Sequence, residues 1–200
     1  MVYITVSALV AYIIGSINFA VIFSRLIHGE DIRNSGSGNP GATNAFRIYG
    51  KKLGVAVFLC DLSKGLIAVA AAKILVVIFD APPETMLAAG FFVQLGHVLP
   101  VFHGFRGGKG VATALGTALA LMPLTAVILL VLFAVILFTT KYVAVASGVC
   151  AAAYPVIAYF LGGENSTVYC VFAVACSMLI LIRHISNFGR LSRGEEGKIK

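Results

Sequence analysis

The chain has 200 residues, 60% hydrophobic and 12% charged, with a formal net charge of +7. So little polar surface cannot cover a soluble globule of this size, which excludes a water-soluble domain and makes this an integral membrane protein. The basic excess does not argue for nucleic acid, because most cations gather in a few segments between or after apolar stretches, where the positive-inside rule puts them.

No water reaches a bilayer core, so the backbone there must satisfy itself, and the apolar runs lack the alternation of barrel strands. An all-α polytopic bundle is expected. No polar linker or internal repeat divides it, so residues 1–200 read as a single transmembrane domain. The first helix spans about Tyr3 to Ser24 and is followed by Arg25, Arg33, Arg47, Lys51 and Lys52, which places the N-terminus outside. It lacks the leading cations and small-residue cleavage site of a signal peptide, so it is read as retained. A second helix, Leu53 to Phe79, returns to an acidic outer turn at Asp80 to Glu84, and a third runs from Met86 to Phe102.

From Gly110 to Thr140 there is no charge. One helix of that length would measure about 45 Å against a hydrocarbon core of about 30 Å, so a break is expected at Met122-Pro123. The pieces are Val111 to Leu121 and Leu124 to Thr139, and whether the shorter fully spans is left open. Val143 to Leu161 and Thr167 to Ile182 complete seven helices, leaving Arg183, Arg190, Arg193, Lys198 and Lys200 in the cytosol. Without the break the parity fails and the basic tail lies outside; five helices is the alternative count.

On this topology three polar segments, 30–52, 103–113 and 183–200, emerge on one face, and a single site at the cytosolic interface could draw on all of them. The first holds the run GSGNPGATNAFR. Gly36, Gly38 and Gly41 can turn successive N–H groups toward one anion, Ser37, Asn39, Thr43 and Asn44 add donors, and Arg47 offers a fork for phosphate oxygens. A plain turn would need one glycine, and here there are three. In the second segment Gly107, Gly108, Lys109 and Gly110 open onto Val111-Ala112-Thr113, aiming a helix N-terminus at the loop, with Arg106 adjoining. GxxxxGK[ST] is absent, because Gly110 follows Lys109, so ATP hydrolysis is not expected. Gly116 and Ala118 read as close helix packing.

In the third segment His184 and Asn187 stand at i and i+3 and share a face if the last helix continues. Ser147 lies within reach of Lys141 at the inner end of its helix and could face the same pocket. Asp61 and Lys64, also at i and i+3, read as a structural ion pair inside the membrane, and His97 either joins the site or bonds a carbonyl. Glu196 reads as a structural partner for a nearby Arg. Cys60, Cys150, Cys170 and Cys176 sit in apolar stretches without metal-ligand spacing and read as buried free thiols. No metal or nucleotide site is expected.

Three motifs in order resemble the bacterial acyl-phosphate:glycerol-3-phosphate acyltransferases of the PlsY type. GxDIRxxGSGNxGATNxxR is met from Gly29, Asp31, Ile32 and Arg33 to Arg47, and GHxxPxFxxFxGGKGVAT from Gly96 to Thr113. HxxNxxRLxxGxE is met at His184, Asn187, Arg190, Leu191, Gly194 and Glu196. Asn18 departs from the family's usual proline in the first helix, a change expected to touch packing only.

The resemblance implies transfer of a fatty acyl group from acyl phosphate to the 1-hydroxyl of glycerol 3-phosphate, releasing lysophosphatidate and inorganic phosphate without a cofactor. It implies that the 107–110 loop and Lys109 bind acyl phosphate, with Thr113 closing that motif. Arg47, Ser37, Ser147, His184 and Asn187 would hold glycerol 3-phosphate. A location in the bacterial inner membrane follows, with docking of an acyl-phosphate synthase on the basic face left open. The competing class is an organophosphate transporter or channel, against which stands the gathering of polar clusters on one face instead of at the midplane.

Overall fold

The computed structural model describes residues 1–199, so Lys200 of the expected cytosolic tail lies outside the described residues. Nine α-helices and three short 3-10 turns, at Ile32–Asn34, Val101–His103 and Gly163–Asn165, account for most of the described chain. They form two compact units, the first Met1–Leu121 and the second from Met122 onward.

The first unit contains α1 (Val2–Ser16), α2 (Phe19–His28), α3 (Ala42–Tyr49), α4 (Lys51–Phe79), α5 (Glu84–Val98) and α6 (Val111–Leu121). Small residues set two close crossings in it. A side chain at Gly15 would run into the Val93 carbonyl and one at Gly96 into that of Tyr12, so α1 and α5 meet backbone to backbone. Gly65 and Gly116 do the same for α4 on α6, against the carbonyls of Thr113 and Leu62. Ala11, Ala68, Ala72, Ala89 and Val93 fill the space between α1, α4 and α5, while Ala20, Val21, Ile32, Ala45, Leu53 and Val57 pack α2, α3 and α4.

The expected first helix is broken in two, a correction to the reading of Tyr3 to Ser24 as continuous. Ile17 and Asn18 are extended, and the Asn18 side chain accepts from the Val21 N–H at 3.0 Å, capping α2. Its amide also donates to the Pro40 carbonyl at 3.3 Å, so the departure from proline at this position reaches the first glycine loop as well as the packing. The apolar run across the break hid it, since hydropathy does not register a single capping residue. The third helix stops at Val98, four residues earlier than expected, because Leu99 precedes Pro100 and leaves the helical region.

The second unit holds α7 (Pro123–Thr140), α8 (Val143–Leu161) and α9 (Ser166–Ser192). The break before α7 falls where the Met122-Pro123 argument put it, with Pro123 in the first turn, where its missing N–H costs nothing. Lys141 ends α7 in the left-handed region at φ 65°, and its carbonyl accepts from the Ile199 N–H at 2.9 Å, tying the tail back to the α7–α8 corner. The last helix runs ten residues beyond the expected Ile182, so the third polar segment is largely helical.

Six stretches are long and apolar enough to cross a membrane: Val2–His28, Lys51–Phe79, Glu84–His103, Pro123–Thr140, Val143–Leu161 and Gly163–Ser192. The protein is a multi-pass membrane protein. The apolar α6 is shorter, at 11 residues, or about 16 Å. Of the four cysteines, all free thiols, Cys176 alone is fully buried; Cys60, Cys150 and Cys170 are partly exposed because helices apolar all round present such residues outward.

Candidate active site

The first glycine loop is shaped by its own asparagine. Gly36 and Gly38 take φ values of 61° and 70°, a conformation that other residues adopt only with strain. Asn44, in the first turn of α3 and fully buried, turns back into the loop: its Oδ1 accepts from the Ser37 N–H at 3.0 Å and its amide donates to the Ser35 carbonyl at 3.0 Å. A side chain at Gly36 would press on that same Oδ1. Asn44, expected as a ligand donor, thus spends its amide organising the loop. Ser37 and Arg47 are exposed, Asn39 and Thr43 half-buried, and Gly41 buried at the start of α3.

A charged staple precedes this loop. Asp31 pairs with Arg33 at 2.7 Å and Arg25 at 2.8 Å, and Arg33 Nη1 donates to the His103 carbonyl at 2.9 Å, joining the approach to the first loop to the approach to the second. The Arg33 guanidinium, with help from its backbone N–H and from Arg25, holds the Asp31 carboxyl well below the usual carboxylate range. Asp31 in turn raises Arg33. A carboxyl depressed in the folded state stabilises the fold above its unfolded value and loses that contribution as pH falls toward the folded one. The melting-temperature gap between wild type and Asp31→Asn should therefore hold at neutral pH and begin to narrow below about pH 4, shrinking further as the pH falls. A gap unchanged in acid would contradict this.

The second loop rests on α5 and α1. Tyr12 donates its hydroxyl to the Leu99 carbonyl at 2.8 Å and the Val101 N–H donates to Ser16 Oγ at 3.3 Å, fixing the chain that leads into it. Gly107 and Gly108 are buried against His97, whose carbonyl accepts from the Gly108 N–H at 3.1 Å. Lys109 is half-buried. The carbonyl of Gly110, a residue at φ 81°, accepts from the Ala114 N–H at 2.8 Å, so α6 begins there and its first-turn N–H groups face back to the loop. Thr113 is fully buried with no hydrogen-bond partner for its hydroxyl among the described residues.

Beneath this loop lies a buried ion pair. Lys64 Nζ stands 2.9 Å from Asp61 Oδ1 and donates to the carbonyls of Gly15 at 3.1 Å and Ile17 at 3.0 Å, the open end of the broken first helix. His97 Nδ1 is 2.8 Å from the same ammonium and 3.4 Å from Asp61.

In the second unit, α9 carries His184 and Asn187 on one buried face, as the i, i+3 spacing requires once the helix continues. The His184 Nδ1–H donates to the Ile180 carbonyl at 2.8 Å, which leaves Nε2 as the acceptor in the neutral ring. The ring stacks on Phe188, which packs against Gly148 of α8. Glu196 returns from the tail to accept from Asn187 at 3.0 Å and from Arg190 Nε at 2.9 Å. It thereby pairs with Arg190 and orients Asn187. Ser147 is buried on α8, its hydroxyl unpartnered among the described residues, an arrangement that suits a polar ligand. Among the described residues no group of His, Cys, Asp or Glu could hold a metal ion.

The sequence reading gave no role in shaping the loops to Tyr12, Ser16, Asn18 or Arg33. Arg33 was legible only as a topological charge, although its place two residues after Asp31 in the motif was the available signal.

The glycerol-3-phosphate acyltransferase family model matches residues 5–194. The chain belongs to the glycerol-3-phosphate acyltransferase family. It is 42% identical over 192 residues to the glycerol-3-phosphate acyltransferase of Syntrophotalea carbinolica, covering 96% of this chain and 95% of that protein. It is 43% identical over 190 residues to that of Neisseria meningitidis serogroup B, with 95% and 94% covered. The crystal structure of PlsY (YgiH), an integral membrane glycerol 3-phosphate acyltransferase in its glycerol 3-phosphate form, matches with a TM-score of 0.89 at 36% identity, covering 98% of this chain and 96% of that one. Its lysophosphatidic acid form matches with a TM-score of 0.84 at 34% identity. Like the other members of the glycerol-3-phosphate acyltransferase family, this protein is a membrane-embedded acyltransferase.

Proposed function

We propose that the protein transfers the acyl group of an acyl phosphate to the 1-hydroxyl of glycerol 3-phosphate at the cytosolic face of the bacterial inner membrane. The observation that carries this reading is the pair of glycine loops in the first unit, joined through Arg33 and each built of backbone that suits phosphate oxygens. One domain of seven membrane segments, N-terminus outside and C-terminus cytosolic, suits the charge distribution, with α6 counted as a short crossing. An acyl-phosphate synthase docking on the basic cytosolic face would deliver the unstable donor.

In the reaction the hydroxyl oxygen bonds to the carbonyl carbon of the mixed anhydride, the carbon–oxygen bond to phosphate breaks, and inorganic phosphate leaves with the electron pair. Lys109, with Gly107, Gly108, Gly110 and Thr113, holds the acyl phosphate and offsets charge on the leaving group and carbonyl oxygen. Ser37 and Arg47 of the first unit bind glycerol 3-phosphate, with Gly36, Gly38, Asn39, Gly41, Thr43 and Asn44 shaping or lining their loop, and His184, Asn187 and Ser147 of the second unit are proposed ligands of glycerol 3-phosphate as well. An acyl phosphate is already activated, so orientation in a drier pocket does much of the work without an acyl-enzyme.

The attacking hydroxyl gives its proton to the phosphate of glycerol 3-phosphate, with His184 as hydrogen-bond partner. His184→Gln should then keep most of its turnover at saturating substrate, whereas a drop of about 100-fold or more would make the histidine the base. Protein in sealed vesicles separates this function from transport. Labelled glycerol 3-phosphate should enter lysophosphatidate only when acyl phosphate is supplied, one phosphate being released per product. Unmodified glycerol 3-phosphate crossing the membrane without a donor would favour the transporter instead.

A further inference from the structure

Lys64, Asp61 and His97 form a cluster that the reaction as described does not use. All three side chains are almost wholly buried, and they stand directly behind the second glycine loop. An ammonium has hydrogens and no lone pair, so the His97 Nδ1 facing Lys64 at 2.8 Å must be the nitrogen that accepts. That fixes the ring's proton on Nε2. The Nε2 edge is the one in contact with the loop, since a side chain at Gly108 would run into Nε2 and Cε1. The backbone repeats the connection, with the Gly108 N–H bonded to the His97 carbonyl at 3.1 Å.

We propose that His97 is a positioning residue for the acyl donor: Lys64, itself paired with Asp61, sets the ring's orientation and tautomer, and His97 holds the Gly107–Gly110 loop from behind in the form that takes the donor's phosphate. The same ammonium bonds the carbonyls of Gly15 and Ile17, so loop, broken first helix and α4 share one buried anchor. A plain core ion pair would need neither the ring nor its contact with the loop. This inference rests on the reading of the loop as the acyl-phosphate site.

The test compares His97→Leu, which keeps bulk without hydrogen bonds, with His97→Gln, whose amide can both accept from Lys64 and donate toward the loop. His97→Leu should raise the KM for palmitoyl phosphate about tenfold while leaving that for glycerol 3-phosphate within about twofold, and His97→Gln should recover most of the loss. Equal changes in both constants, or none, would overturn the proposal. Nitrogen-15 spectra of histidine-labelled wild-type protein, with the His97 signal assigned by its loss in His97→Gln, give a readout that needs no altered protein to be active. They should show the Nε2-protonated tautomer, and a proton on Nδ1 would overturn the proposal even if His97→Leu failed to fold. Wild-type turnover measured first separates the two levels: no turnover from palmitoyl phosphate removes the acyl-donor reading, while the spectra still decide the tautomer.

Discussion

Lys109→Ala should lower kcat for acyl transfer by about 100- to 1,000-fold in a protein that still folds, with the KM for glycerol 3-phosphate little changed. Lys109 is half-buried between Gly108, whose N–H is bonded to α5, and Gly110, which opens α6. A cation there works beside fixed N–H groups, in a setting poorer in water than the surface, where charge counts for more. Lys109→Arg should recover little of the loss, because a planar guanidinium presents its donors in a different geometry from a compact ammonium. Steady-state kinetics with either substrate varied checks both. An alanine variant with unaltered kcat would remove the lysine from the chemistry.

The second large effect is steric. Gly107→Ala would place a methyl group against the carbonyls of His97 and Val98 and the ring of Pro100, backbone and proline atoms that cannot swing aside as a flexible side chain can. The loop must shift as a whole, and a misplacement near 1 Å at a catalytic loop costs about 100-fold in rate. Gly104→Ala is the control. Gly104 also precedes the second loop, but nothing lies within 4 Å of where its Cβ would be, so it carries only the strain of its φ of 62°. It should lose about 1 kcal/mol of stability and keep its turnover. Equal loss of activity in both variants would mean that the close fit against His97 is not what holds the loop.

Much of this arrangement was legible in the chain. The length of the uncharged run from Gly110 to Thr140 forced a break, and the structure has it between Leu121 and Pro123. Hydropathy located the long helices because lipid demands long apolar segments. It could not locate the interruption at Ile17 and Asn18, where polar groups are satisfied by Lys64 and by the Asn18 cap instead of by sequence neighbours. The loops were legible through their glycines, but composition does not separate residues that would meet a ligand from those that shape the loop. Asn44 looked like a donor and proves to be a staple, whereas Arg33 looked like a topological charge and proves to link the loops. Such roles depend on contacts between residues tens of positions apart, as with Lys64 and Gly15, and no local pattern encodes them.

The chemistry of the donor separates this enzyme from other acyltransferases that act on glycerol 3-phosphate. Purified protein in lipid would be given labelled glycerol 3-phosphate with palmitoyl phosphate, palmitoyl-CoA or palmitoyl-carrier protein, beside Lys109→Ala. Lysophosphatidate should form from palmitoyl phosphate alone and be lost in the variant. Product from either thioester, or none from palmitoyl phosphate with folded protein, would contradict this.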